Sequence, residues 1–487
     1  MTGLAGIVLA LGLLIFLAYR GMSVLLLAPL MAMLAAAFSA APLLGLYTQV
    51  FMTAAGGFIA SFFPLFLLGA IFGRLMDDSG AANAIAQGLV ARLGGRQAIL
   101  AVVLACAILT YGGVSLFVVA FAIYPISASL FRAADIPKRL IPATIALGAF
   151  TFTMTALPGT PAIQNAIPML YFGTTPFAAP GLGILAALIM LGAGQWWLMQ
   201  RAAGARARGE GYGQHDEVRV SADAGTRRPS APQGDDLTEP EVGAAAASVV
   251  QSPAPPFLVA VLPVFVVIAA NFVFSSLLIP SWDIGFLAEP PFGAVGLSSV
   301  LGLWSIILAL SLAILVLVAL NWSRLASPLG SLDSGANASV LPIFNTASLV
   351  GFGAVVATLP AFTALRAGVL GIGGENPLIS LSISVNILAG ITGSASGGMS
   401  IALAALGGTY LQMAHEAGIA PEVLHRITAI ATGGLDALPH NGAVVTLLGI
   451  CGLTHRQSYG DLAMVAVVFP LAALAVAIVA ATLFGAF

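Results

Sequence analysis

Tyr111-Gly112-Gly113 and Leu157-Pro158-Gly159-Thr160 interrupt two apolar stretches in the first half of the chain. Gly393-Ser394-Ala395-Ser396-Gly397-Gly398 and Leu438-Pro439-His440-Asn441 interrupt two more in the second half. The spacing repeats: Gly112 to Pro158 is a step of 46 residues, and Gly393 to Pro439 is again 46. Paired interruptions in otherwise membrane-grade sequence, once per half, mark a secondary transporter whose substrate sits between discontinuous helices. The two halves therefore read as two copies of one transport unit.

Composition sets the class. With 59% apolar and only 7% charged residues, and a mean hydropathy of +1.04, the chain falls far from soluble domains, where about a quarter of residues are charged. Runs such as Leu4 to Tyr19, Phe257 to Leu278, Val300 to Leu320 and Leu462 to Phe487 are near the length of a spanning helix. They lack the alternating polarity of an outer-membrane barrel, so the expected fold is all-α and polytopic, in an inner membrane. A net charge of −2 says nothing about nucleic acid, and no basic cluster interleaved with aromatics points to it, so that class is set aside. Cys106 and Cys451 have no CxxC partner and read as buried small hydrophobes. The first apolar run lacks a basic flank and a clear small-residue cleavage site, so it reads as a retained helix.

Arg201 to Glu241 is the only long hydrophilic stretch, and its composition suits a disordered linker. It divides the chain into a first transmembrane repeat (1–200), a linker (201–255) and a second repeat (256–487). Expected spans are 3–19, 22–40, 53–75, a hairpin 97–131, 139–172 broken at Pro158, and 177–200. In the second half they are 256–278, 293–320, 341–365, a hairpin 377–413, 423–450 broken at Pro439, and 462–486. An odd number of crossings per half inverts the second repeat relative to the first. The expectation is about ten transmembrane helices plus two re-entrant hairpins, each repeat with one broken helix; fourteen full spans satisfy the same parity.

With the linker cytoplasmic, Arg20, Arg74, Arg92, Arg96, Arg132, Lys138, Arg139, Arg201, Arg324 and Arg456 lie inside, as the Lys/Arg bias of short loops requires. Asp283, Glu289, Arg366, Glu375, Glu416, Glu422 and Arg426 lie on the other side, where both termini emerge.

A proline within a helix removes a backbone hydrogen bond, so Pro158 and Pro161 should open the chain around Thr155 to Asn165. Thr151, Thr153, Thr155, Thr160, Gln164 and Asn165 crowd that break. Half-helices aim N-terminal dipoles and free amides at one point, which suits an anion. No Arg or Lys lies inside the expected spans away from their ends, so backbone amides and hydroxyls are expected to hold a carboxylate. Candidate substrate contacts are Gly112, Ser115, Thr155, Pro158, Gly159, Thr160, Gln164 and Asn165 in the first half, and Gly393, Ser394, Ser396, Gly397 and Asn441 in the second.

Asp436 and His440 are four residues apart and would share a face of a continuous helix. An Asp/His pair at that depth is a candidate proton carrier; the competing reading is a helix cap beside a satisfied polar residue. Asp77 and Asp78, at a helix end before Ser79-Gly80, read as a solvated terminus. Asn345, Thr346 and Asn386 read as interhelical hydrogen bonders, and His415, His425 and His455 as solvent-exposed loop residues. Paired catalytic carboxylates, metal-ligand spacings and phosphate loops are absent from the sequence, which argues against an enzyme, a cofactor or a metal.

The chain resembles the gluconate permease family of proton symporters, within the larger ion-transporter superfamily. The resemblance rests on Gly69-Ala70-Ile71-Phe72-Gly73-Arg74 with Asp78-Ser79-Gly80, the hairpin Tyr111 to Phe117, the break Leu157 to Pro168, and Gly393 to Gly398 with Ala437 to Gly442. It implies an inverted repeat in which two hairpin tips meet two broken helices around one organic anion, moved in symport with a cation. The gluconate members carry a His- and Pro-rich run at the first break and an acidic residue in the first hairpin; this chain has neither. A small, less hydroxylated acid such as hydroxybutyrate suits the lining better than gluconate. The expected function is proton-coupled import of such an anion. The rivals are a Na⁺-coupled di- or tricarboxylate symporter of the same superfamily and, in another class, a non-transporting scaffold or channel. The bilayer, the anion, a proton or Na⁺, and a second copy in a homodimer are its candidate partners.

Overall fold

The protein is described by a computed structural model covering residues 2–20, 22–94, 97–213, 254–372, 374 and 376–487. Arg96, Glu375 and most of the expected linker lie outside the described residues. Every regular element among the described residues is helical. The first half runs α1 (Thr2–Tyr19), α2 (Val24–Phe38), α3 (Leu43–Asp78) and α4 (Ala81–Leu93). A hairpin of α5 (Ala98–Tyr111) and α6 (Leu116–Ala133) follows. Then come a helix in pieces, α7 (Ile141–Ala149), α8 (Phe152–Thr155) and α9 (Ile163–Phe172), and a long α10 (Pro180–Ala207).

The second half repeats that order: α11 (Phe257–Ser281), α12 (Leu297–Asn321), α13 (Pro328–Thr358) and α14 (Phe362–Leu370), then the hairpin α15 (Pro377–Thr392) and α16 (Ala395–Glu416). The broken pair α17 (Pro421–Thr432) and α18 (Gly442–Ile450) and the long α19 (His455–Phe484) complete it. Among the described residues seven helices, α3, α6, α10 to α13 and α19, are long and apolar enough to cross a bilayer by length and composition. Large apolar side chains point outward on them, with Leu258 78%, Leu315 66% and Phe265 64% exposed, a surface suited to lipid.

Several elements exceed the sequence expectation. α3 begins at Leu43, α13 at Pro328 and α19 at His455, each several residues before its expected start. The start of α13 is polar, yet it folds because Ser327 accepts from the Gly330 N–H at its N-terminus and Ser331 Oγ donates to Asp78 of α3 at 2.6 Å. The short α4 falls between two expected spans, and α14 begins inside the expected span 341–365 and runs past its end. α10 continues past the expected linker boundary to Ala207. The chain beyond it stays docked: Tyr212 is buried, its N–H donates to Asp135, and Arg132 lies over its ring.

α3 and α13 pack against each other at the centre, closely enough that a Cβ on Gly335 would stand 2.7 Å from the Ile71 Cα. Contacts between the halves come in exchanged pairs. α13 packs on α2 as α3 packs on α12; α9 packs on α16 as α18 packs on α6; α10 packs on α17 as α19 packs on α7. Helix pieces from one half therefore lie beside the hairpin of the other.

Candidate functional site

Each half builds the same local device, in which a hairpin tip and a return loop both bind the break. In the first half, Tyr111 at the hairpin tip donates its hydroxyl to Pro158 O at 2.6 Å. Gly113, with φ +93°, leaves room for Pro161; a Cβ there would meet the ring at 2.9 Å. The Gly159 N–H donates to Pro176 O in the loop after α9, and Gly159 O accepts from Asn271 of α11. In the second half, Asn441 donates to Gly393 O at the hairpin tip at 2.8 Å, and the His440 imidazole bonds Gly390 O. His455, just after α18, bonds Pro439 O at 2.7 Å, and Tyr459 donates to Ala437 O. Carbonyls that the prolines release from helical bonding thus find partners, as buried backbone groups must.

The breaks meet across the halves. A Cβ on Gly433, where α17 ends, would lie 2.9 Å from Thr155 Cγ2 and 3.0 Å from its Oγ1, and Thr155 is where α8 ends. Only a glycine lets the backbone of one break lie against the side chain that opens the other. Thr432 Oγ1 donates to Ala395 O, joining the same point to the start of α16.

The candidate residues divide by what they touch. Gly112 is buried against Val264. Thr155 is buried and donates to Thr151 O; Thr160 is buried and its Oγ1 accepts from Ala162 N–H. Pro158 and Gly159 lend their backbone to the bonds above. Asn165 Nδ2 donates to Thr160 O and Pro176 O, so its amide is fully used within the protein. Asn441 Oδ1 accepts from the N–H groups of Ala443 and Val444, capping α18, and its Nδ2 also donates to Asp436 O. Ser394 caps α16 by accepting from Gly397 N–H, and Gly397 packs on Leu349. Ser115, Gln164 and Ser396 are not buried, and no hydrogen bond of their side chains is formed among the described residues. Asp436 is buried at 7% exposure. The chain is not helical from Gly433 to Asn441, so the helix face expected to pair Asp436 with His440 does not exist.

Two expectations are corrected. His425, read as a loop histidine, is fully buried, and so is Arg426, read as an outer-side charge. Both stand one turn into α17, which begins at Pro421. All five guanidinium N–H groups of Arg426 are used. Nε donates to Ala178 O; Nη1 to Ala156 O and Asn165 Oδ1; Nη2 to Pro176 O and Ala178 O, at 2.7 to 3.2 Å. A cation therefore does lie beside break one, contrary to the expectation that no Arg or Lys stands near it. His425 completes the cluster, with Nδ1 2.6 Å from Thr174 Oγ1 and Nε2 3.1 Å from Asn165 Oδ1. Because Asn165 donates through Nδ2, its Oδ1 is the acceptor; His425 then donates from Nε2 and accepts from Thr174 at Nδ1, which a neutral ring satisfies. The sequence signal for this cluster was Pro421, a favoured first residue of a helix, which sets His425 and Arg426 inside it. Asn271 and Thr174 carried no such signal. Among the described residues no cluster of His, Cys, Asp and Glu could hold a metal ion.

Residues 2–205 match the family described as GntP family permease. The chain is 45% identical over 463 residues to a protein of Bacillus subtilis (strain 168) described as "Uncharacterized transporter YxjC", covering 94% of both chains. The crystal structure of the Alcanivorax borkumensis YdaH transporter is similar at 17% identity and a TM-score of 0.47, over 88% of this chain and 86% of that one.

Proposed function

The chain belongs to the GntP permease family, and from that premise we propose that it imports a small organic anion, such as hydroxybutyrate, by proton symport with alternating access. As a permease of this family it moves a solute across a membrane and is not an enzyme. The observation that carries the reading is the meeting of the two breaks at Thr155 and Gly433, with the cation Arg426 buried beside them. A solute held there touches both halves and changes side when they shift against each other. The N-termini of α6 and α16, with Ser115, Ser394, Ser396 and Gln164, supply donors for a carboxylate. Asp436 and His440, both on break two, carry the proton. The recurring helix order and the exchanged packing support two repeats related by a two-fold axis; an odd number of crossings per half inverts them. The Lys/Arg excess of the loops near residues 132–139 and 201–208 supports a cytoplasmic linker, with the termini on the opposite side of an inner membrane.

Uptake of labelled hydroxybutyrate into vesicles holding the purified protein, under an inward proton gradient with and without Na⁺, tests this. Accumulation should follow the pH gradient and ignore Na⁺. Uptake that follows Na⁺ alone would instead establish a Na⁺-coupled carrier. Asp436→Asn combined with His440→Ala should abolish accumulation against a gradient while leaving downhill exchange measurable; unimpaired accumulation would remove the proton role from that pair.

A further inference from the structure

We propose that Arg426 makes the site select anions, acting through break one as a positioning residue rather than as a direct ligand. The proposal rests on the transport reading above and assigns the source of its charge preference.

Three observations support it. First, Arg426 is fully buried, and its five N–H donors all meet neutral oxygens, those of Ala156, Pro176 and Ala178 and the amide oxygen of Asn165. No carboxylate lies within ion-pair distance of it among the described residues, whereas the buried Asp461 faces both Arg139 and Arg201. Removing a cation from water is costly even after relaxation; carbonyl dipoles solvate it but leave its net charge in place. A positive charge in a low-dielectric region attracts an anion more strongly than the same charge would across water.

Second, the acceptors are not scattered. Ala156 is the first residue after α8, and Pro176 and Ala178 belong to the return loop that also receives the Gly159 N–H. Asn165 stands in the first turn of α9. Arg426 therefore ties together the end of one half-helix, the beginning of the next and the loop behind them. It reaches them from α17, which belongs to the other half and ends at the Thr155–Gly433 contact. The charge sits behind the break and fixes its shape at once.

Third, the local backbone is kept open for this side chain. A Cβ on Gly183 would lie 2.4 Å from Ala156 O and 3.2 Å from Arg426 Cδ and Nε, so α10 approaches the guanidinium only because that residue is glycine. The polar side chain that precedes Arg426 on α17, the His425 ring, is bonded to Thr174 and Asn165 as a neutral imidazole is.

The test compares acids with their uncharged amides on the full-length protein: formate, acetate and 3-hydroxybutyrate against formamide, acetamide and 3-hydroxybutyramide, by equilibrium binding to protein in detergent. Wild type should bind at least one acid tenfold or more tighter than its amide. Arg426→Gln should reduce that preference by tenfold or more, and Arg426→Lys, which keeps the charge with fewer donors, should restore it to within a few-fold. Asn271→Leu perturbs the same break by removing the donor to Gly159 O and touches neither Arg426 nor any of its acceptors; it should slow transport yet leave the acid-to-amide ratio unchanged. A preference that survives Arg426→Gln overturns the proposal while leaving the anion-carrier reading standing. A preference that collapses equally in Asn271→Leu overturns it too, and this variant decides the matter should the glutamine variant not fold. A wild type that prefers none of the acids ends both readings.

Discussion

Asn441 does at one position what several residues do in break one. Its side-chain oxygen accepts from two N–H groups at the start of α18 while its amide donates to Gly393 O and Asp436 O, so cap, hairpin tip and break are joined by one side chain. Asn441→Ala removes the cap and strands two carbonyls, and is expected to lower stability by about 1–2 kcal/mol, the range for a lost N-cap. Asn441→Asp keeps the acceptor and loses the donor. Thermal unfolding of both variants should therefore place the aspartate between wild type and alanine; an aspartate no better than the alanine would show that the tip contact, not the cap, is what matters. The sequence made Asn441 visible because it directly follows the Pro439 break. Arg426 was not visible in the same way: its partners are backbone carbonyls of the other half, and a carbonyl leaves no trace in residue identity. A lone basic residue shortly after a proline reads as a loop charge until the helix starting at Pro421 is given its partners.

At the scale of elements, the hairpins and broken helices were legible because proline and glycine act on the backbone locally, whereas the contact between breaks was not, since it joins residues far apart in sequence. That contact is open to a double-mutant cycle. Gly433→Ala places a methyl 2.9 Å from Thr155 Cγ2 and 3.0 Å from Oγ1, so the breaks must part, and initial uptake should fall by about tenfold, a change of roughly 1.4 kcal/mol. Thr155→Ala removes both of those atoms. Combined with Gly433→Ala it should recover most of the lost rate, giving a coupling within the range seen for residues in contact. Strictly additive losses would mean that the two positions act separately. Gly12→Ala, where nothing stands within 4 Å of the added methyl, is the matching control and should leave uptake unchanged. The polar opening of α13 shows the opposite limit of sequence reading: its apolar period is weak, and it is helical because Ser331 finds Asp78 on α3, a tertiary partner that no local pattern announces.

Across the whole molecule, the halves are also tied where the end of α10 meets the beginning of α19. Asp461 of the second half, its side chain 3% exposed, receives Arg139 and Arg201 of the first at 2.7 Å each, and the Trp197 indole donates to it as well. Arg139 is shared with Glu210, 35% exposed, which Arg208 also contacts. Burial separates the two acids in energy. Asp461→Asn breaks a desolvated pairing and leaves two guanidinium groups partly unmatched, a loss of about 3–5 kcal/mol; Glu210→Gln removes a largely solvated pair worth about 1 kcal/mol or less. Thermal unfolding should rank them in that order, and equal effects would mean that solvent reaches Asp461. The Arg139 hydrogen bond to Glu210 holds that carboxyl at about 2, down from 4.5. A carboxyl depressed in the folded state stabilises it above its ordinary pKa and ceases to do so as the pH drops toward the folded value. The Glu210 contribution should thus be constant from neutral pH down to about 5 and fade between 4.5 and 2. Unfolding followed over that acid range should show wild type and Glu210→Gln converging as the pH falls, while a gap that persists at pH 2 would assign the stabilisation to packing of Glu210 rather than to its charge. Because Arg139 directly precedes the helix that leads into break one, loosening this tie reaches the transport site through α7, and Asp461→Asn should also alter uptake kinetics where Glu210→Gln does not.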